Sequence, residues 1–251
     1  MRCAITGANG FVGGLLTEVC LEYGWDVDAL VRRDAPALAS RGATVRHYDL
    51  AGPGTPDLAG ADVLIHCAYA PGGNNAGAAR RLFTAARAQG VRIAFISSVA
   101  ALGIHRSIYA QEKRTIEALL DPNRDIVLRP GLIIGDGGLF GAMTRAVRRF
   151  HLAPIPHGAF AVSIIEADAF AQAAFAIVRR GATGVHVLCA PEQVSLRTLY
   201  QLVAKRAGVR CALVPVPYDL LLGAALVAEH LGIPLPISAE NVRGLRNLAP
   251  L

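Results

Sequence analysis

Lysine is nearly absent from this chain of 251 residues: Lys113 and Lys205 are the only two among 25 basic residues. A motif that requires a lysine is therefore hard to meet by chance. Paired cysteines are missing too. Cys3, Cys20, Cys67, Cys189 and Cys211 are scattered with no Cys-x-x-Cys spacing, and Cys3 and Cys67 lie in apolar strand-like runs, so all five read as small core residues rather than metal ligands or disulfides. His105, His151 and His157 have no partner spacing that points to a metal, and no metal is expected. Long apolar runs are also lacking. The longest, Leu220 to Ala228, lies between Asp219 and Glu229 and falls well short of the ~20 residues a bilayer span needs, so no membrane crossing is expected. The net charge of +6 is spread over separated arginine pairs, and no basic run interleaves with aromatics, so nucleic acid is not an expected partner. There is no low-complexity segment and no internal repeat; 53% hydrophobic residues with 26 glycines describe a globular α/β chain. A strand beginning at residue 2 leaves no room for a signal peptide, and a cytoplasmic location is the expectation.

What is present is an alternation. Short apolar runs at 2 to 6, 26 to 31, 44 to 47, 62 to 68, 92 to 98 and 126 to 130 read as strands, with amphipathic helices at about 11 to 23, 75 to 89 and 107 to 120. Strand and helix in turn with short joints imply parallel strands wrapped by helices, a Rossmann-type doubly wound α/β sheet. Ligands of such sheets lie at the carboxyl ends of the strands, where Gly7, Ala68, Ser98 and Pro130 fall. Beyond residue 131 the pattern loosens. A basic helix runs to Phe150, the Pro-rich HLAPIPH stretch reads as a turn, and a strand at 161 to 165 and a helix at about 168 to 180 are expected to return to the main sheet. A strand at 185 to 188 and helices near 195 to 207, 217 to 231 and 238 to 246 follow. The whole chain, 1 to 251, reads as a single nucleotide-binding domain with a small substrate lobe formed by about 135 to 160 and 190 to 251.

The first strand-to-helix joint is TGANGFVG at 6 to 13. Its three glycines stand where a dinucleotide fingerprint needs one for the turn, one for close approach of a pyrophosphate and one for helix packing. Gly7, Asn9, Gly10, Phe11, Val12 and Gly13 are candidate cofactor-binding residues, the alternative being a glycine-rich structural turn. The second strand ends in LVRRD, so Arg32 stands where NAD-preferring enzymes put an acid for the ribose hydroxyl. A guanidinium there favours the 2′-phosphate of NADP, with Arg33 as a second contact or plain surface, and NAD is the less favoured cofactor. Asp49, with Leu50 beside it, is placed at the adenine edge or in an ordinary turn. Ala68, Tyr69 and Ala70 continue the candidate cofactor wall.

Tyr109 and Lys113 stand four apart on the helix at about 107 to 120, downstream of Ser97 and Ser98. A phenol titrating near ~10 is a poor acid or base at neutral pH until a nearby cation stabilises its phenolate. A lysine one helical turn away supplies such a cation. With TGANGFVGG, FISSVAALG, YAQEK, LRPGLIIG and EADAF quoted together, the chain resembles the short-chain dehydrogenase/reductase superfamily in its extended or atypical epimerase/dehydratase-like branch. The resemblance implies that Ser98 orients the substrate oxygen, Tyr109 exchanges its proton, and Lys113 holds the nicotinamide ribose while lowering the tyrosine pKa. Ser98, five residues before Gly103, fits the family spacing better than Ser97. Asn75 resembles the helix-start asparagine of the extended branch, with a helix cap as the alternative, and Pro130 and Gly131 resemble the stretch along the nicotinamide carboxamide.

Departures from the family's other patterns narrow the reaction. Nucleotide-sugar dehydratases carry an Asp-Glu pair after the hydroxyl residue, where this chain has Val99 and Ala100. Nucleotide-sugar epimerases place an arginine seven residues before the aspartate matching Asp168, where Ala161 stands here. The reading left in front is a small-molecule carbonyl reductase or alcohol dehydrogenase, with an epimerase or a non-catalytic NADP sensor as alternatives. His157 is a candidate for lining the substrate pocket or for a turn. The Ala and Leu faces of the helices at about 75 to 89 and 107 to 120 make a homodimer possible.

Overall fold

The computed structural model describes residues 1–102, 107–157, 160–231 and 239–245. In chain order the elements are β1 Arg2–Thr6, α1 Phe11–Glu22, β2 Asp26–Val31, α2 Pro36–Ala39, β3 Thr44–His47, β4 Val63–His66, α3 Asn75–Ala88, β5 Arg92–Ile96 and α4 Ile108–Glu117. They continue with β6 Ile126–Pro130, β7 Leu132–Ile134, α5 Gly138–Phe150, β8 Leu152–Pro156, β9 Ala161–Val162, β10 Ile164–Glu166, α6 Ala167–Arg179 and β11 Gly184–Leu188. The remainder is β12 Val194–Ser195, α7 Leu196–Ala207, β13 Ala212–Val216, α8 Tyr218–His230 and α9 Ala239–Leu245.

These elements fall into two compact units. The first comprises Met1–Ser98, Glu112–Pro130 and Ala167–Leu188. It holds a seven-stranded sheet in the order β11-β6-β5-β4-β1-β2-β3, every pair parallel. The joints after β1, β4 and β5 cross over through α1, α3 and α4, as parallel pairing requires, and both faces are covered, which is why β1, β4 and β5 read as unbroken apolar runs. The core beneath α3 joins Leu82, Phe83 and Ala86 to Leu64, Ile93 and Phe95 of the sheet. Ala78, Ala79, Leu82 and Ala86, which the sequence offers for a two-fold contact, are buried in this core, and α3 turns Arg80, Arg81 and Thr84 outward. A homodimer built on α3 would have to use that polar face.

The second unit comprises Val99–Gln111, Gly131–Glu166 and Cys189–Leu251. Helices α5 and α7 pack on each other around Phe140, Met143, Leu199 and Val203. Two expectations are corrected here. The HLAPIPH stretch is strand β8 and not a turn; it pairs in parallel with β13, Leu152 opposite Ala212 through Pro156 opposite Val216. Prolines are tolerated because a two-stranded sheet has only edges, so a missing N–H costs no ladder bond when it faces outward. Nor do residues 161 to 165 form one strand of the main sheet. They split at Ser163 into β9, antiparallel to β12, and β10, parallel to β7. Helix α6 and β11, by contrast, do return to the first unit. Among the described residues no helix is long and apolar enough to cross a membrane.

Candidate cofactor and catalytic site

The order of strands puts a switch point between β1 and β4, whose following loops leave in opposite directions and open a crevice at their carboxyl ends. The glycines of the first loop are there for space. Gly7 has φ +65°, and a Cβ on it would stand 3.0 Å from the Cα of Ala68 beyond β4. A Cβ on Gly13 would lie 2.1 Å from the Gly7 carbonyl oxygen, so α1 starts hard against the turn. Gly10 is the N-cap of α1 in extended conformation, with no side-chain cap and no acid in the first turn. The first N–H groups of a helix have no partner within it and its dipole favours negative charge, so this end is suited to a pyrophosphate. Asn9 and Gly10 are exposed and Phe11 and Val12 half-buried along that end.

Arg32 and Arg33 follow β2 directly, are exposed, and make no ion pair among the described residues. Guanidiniums at the end of the strand next to β1 are suited to an anionic group. Asp49 follows β3, and its Oδ1 accepts the Ala51 N–H at 3.0 Å in a turn; the Leu50 side chain belongs to the core.

Beyond β4, Ala68, Tyr69 and Ala70 are half-buried. Asn74, not Asn75, caps α3, accepting the Gly77 N–H at 2.9 Å. Asn75 is buried and closes the loop instead: its Oδ1 accepts the Ala70 N–H and its Nδ2 donates to the Ala70 carbonyl, both at 2.9 Å. Its amide thus ties the loop to itself, and Nδ2 also reaches the Glu112 carboxylate at 3.2 Å.

Helix α4 carries the two predicted catalytic residues one turn apart. Ser107 begins it, its Oγ accepting the Ala110 N–H at 3.1 Å, which places half-buried Tyr109 in the first turn. Lys113 is 5% exposed and donates from Nζ to the Ile96 carbonyl at the end of β5 at 2.8 Å. Its Nζ also stands 4.7 Å from the centre of the Phe95 ring. Burial pushes its pKa down to about 8, against the opposing charges of Cys67, Glu117 and Glu112. Ser97 is buried and its hydroxyl donates to Glu117, which also takes Arg129 through Nε at 3.0 Å. That commitment removes Ser97 from the choice of serine, while Ser98 is half-buried at the mouth of β5. Pro130 ends β6, and a Cβ on Gly131 would meet the Ser163 carbonyl oxygen at 2.6 Å, so that glycine too marks a close approach of two backbones. Gly103 and His105 lie outside the described residues.

Residues that the sequence reading passed over complete the first unit's site. His66, hidden in an apolar run, is 1% exposed and packs against Phe83 and Phe95. Its Nδ1 lies 2.7 Å from Thr6 Oγ, which also accepts the N–H groups of Cys67 and Ala68. With its lone pairs facing those donors, the hydroxyl gives its proton to the imidazole, and neutral His66 fixes the two strand ends that flank the switch point. Burial, then the Lys113 charge, push its pKa from 6.5 down to about 3. Between those values the unfolded chain holds a proton that the folded chain refuses, so stability falls as the pH falls, by up to about 1.4 kcal/mol per pH unit from this residue. Urea unfolding should show His66→Asn with a flatter acid limb than the parent; parallel limbs would mean His66 titrates normally.

In the second unit, His157 follows β8 and lines a cavity of about 380 Å³ with Ile155, Phe160, Leu196, Arg197 and Leu213.

The NAD(P)H-binding family matches residues 7–125. Over that stretch the chain is similar to an NAD(P)H-binding domain. Ceramide reductase of Caulobacter vibrioides is 37% identical over 163 residues, 57% of this chain and 51% of that protein. The match thus spans about half the length of the curated relative. NADPH-dependent quinone oxidoreductase QOR2 of Escherichia coli, solved with NADPH, shares the fold at a TM-score of 0.76 and 22% identity over 97% of this chain and 89% of that one. UDP-N-acetylglucosamine 4-epimerase of Bacillus cereus does so at 0.67 and 15% over 86% and 85%. The Rossmann-type sheet is borne out, and the match to an NAD(P)H-binding family agrees with the resemblance drawn from the sequence.

Proposed function

We propose that the protein is an NADP-dependent oxidoreductase that interconverts a ketone and an alcohol, with Tyr109 as the acid or base. One observation carries the reading: a desolvated lysine, Lys113, tied to the end of β5 and one helical turn from Tyr109. When bound, the dinucleotide supplies or accepts the hydride at nicotinamide C4. The chain's own groups do the rest. Tyr109 delivers its phenolic proton to the carbonyl oxygen in reduction and takes it back in oxidation, the Lys113 ammonium stabilises the phenolate left behind, and Ser98 donates a hydrogen bond that orients the same oxygen. The loop from Gly7 to Gly13 holds the pyrophosphate, and Arg32 with Arg33 meets the 2′-phosphate.

The name of the curated relative puts ceramide-like long-chain ketones first in a substrate panel. Val99, Ala100 and Ala161 stand where dehydratase and epimerase groups would be needed, which sets those reactions behind simple redox.

Cofactor choice is tested first because it needs no substrate. NADPH should bind more tightly than NADH, and Arg32→Asp should reverse the order by removing a charge-assisted contact worth about ten-fold or more and repelling the phosphate. Equal affinities in the parent by calorimetry would sink the NADP assignment. NADPH binding with no turnover on any carbonyl would favour a sensor.

A further inference from the structure

The residue immediately before Lys113 has a task of its own. Glu112 Oε2 accepts the Tyr69 hydroxyl at 2.7 Å, and its two oxygens receive Asn75 Nδ2 at 3.2 and 3.4 Å. Asn75 is 3% exposed and grips Ala70 through both its amide atoms. The Tyr69 ring meanwhile offers its face to Lys113 Nζ, 5.6 Å from the centroid. One carboxylate on α4 is thereby joined to both ends of the segment from Tyr69 to Asn75. That segment leaves β4 at the switch point, where a bound dinucleotide must lie. A helix-surface glutamate serving only solubility would face water; this one is half-buried and collects neutral donors from a loop about 40 residues away in sequence. Hydrogen bonds to an ionised acceptor are about twice as strong as neutral ones, so the joint is a stiff one.

We propose that Glu112 is a positioning residue for the cofactor: it latches the loop after β4 to the helix that bears Lys113, so that the wall of the dinucleotide crevice and the lysine assigned to its ribose keep one spacing. The inference rests on the dinucleotide site and not on the identity of the carbonyl. Glu112 acts through Tyr69 and Asn75 and touches no reacting atom.

The test is a titration of intrinsic fluorescence with NADPH, alongside thermal melting of each variant without cofactor. Glu112→Ala should weaken NADPH binding by about ten-fold, because the loop loses its tie. Tyr69→Phe, which deletes one hydroxyl, should weaken it less, and the double variant should bind no worse than Glu112→Ala, since both changes break one joint. The isosteric Glu112→Gln, which keeps an acceptor for Tyr69 but turns a donor toward Asn75, should fall between. A lowered melting temperature with parental NADPH affinity would overturn the proposal and leave Glu112 a stabilising residue only. Additive losses in the double variant would also overturn it. A parent that binds no NADPH would refute the cofactor site itself, an outcome separate from both.

Discussion

Tyr109→Phe should lower kcat by about 10²- to 10⁴-fold while NADPH affinity stays near the parental value, because the change removes the one hydroxyl assigned to proton transfer and little that holds the cofactor. The size follows from what remains. Without the phenol, the alkoxide forming on the substrate would have to take its proton from water. Lys113→Ala should behave differently. Its ammonium is assigned both to the ribose and to the phenolate, so turnover and NADPH affinity should fall together. Lys113 is also buried against the Ile96 carbonyl and the Phe95 ring, so its removal empties space in the fold, and the melting temperature of this variant must be read beside its kinetics. The comparison requires a carbonyl that the parent reduces, found by following NADPH absorbance over a panel that includes long-chain ketones. Retention of most of the parental rate by Tyr109→Phe would move the proton donor elsewhere and defeat the catalytic assignment at its centre.

Why so much of the first unit is readable from the sequence, and the second so much less, comes down to what each strand is buried against. β1, β4 and β5 are covered on both faces, so their sequences are continuous apolar runs bounded by glycine and polar residues, and the helices between them carry one apolar face each. Gly7 and Gly13 are legible because a backbone that must pass close to another backbone excludes every other residue. β8 and β13 belong to a two-stranded ribbon, where the constraints that keep proline out of a central strand do not act, so Pro154, Pro156 and Pro215 hide them. His66 shows a second limit. Its task depends on facing Thr6 across the β1–β4 pair, and that register is a property of strand order, which no local pattern reveals. Glu112 and Glu117 flank Lys113 in plain sight on α4, yet their partners Tyr69, Asn75, Ser97 and Arg129 come from three other places in the chain. What the sequence does signal is a helix with acids at positions −1 and +4 from a buried lysine.

Two glycines in succession on α1 should respond in opposite ways to the same added methyl. A Cβ at Gly13 would stand 2.1 Å from the Gly7 carbonyl oxygen, 2.7 Å from its carbon and 2.9 Å from Ala8 Cα. All three are backbone atoms of the turn, so no side chain can swing aside, and either α1 or the loop must move. Overpacking of this kind costs about 1–3 kcal/mol. Movement of the turn also displaces the N–H groups that face the pyrophosphate, so Gly13→Ala should lose NADPH binding along with stability. At Gly14 the Cβ would meet the Ala8 carbonyl oxygen at 3.7 Å, an ordinary contact, within a helix where alanine is favoured over glycine by about 0.5–1 kcal/mol. Gly14→Ala should therefore unfold at higher urea concentration than the parent and bind NADPH as the parent does. Urea midpoints and NADPH titrations on the pair separate the two effects. Equal behaviour of the two variants would mean that α1 does not press on the turn as described, and the close-packed cradle assigned to the pyrophosphate would fail with it.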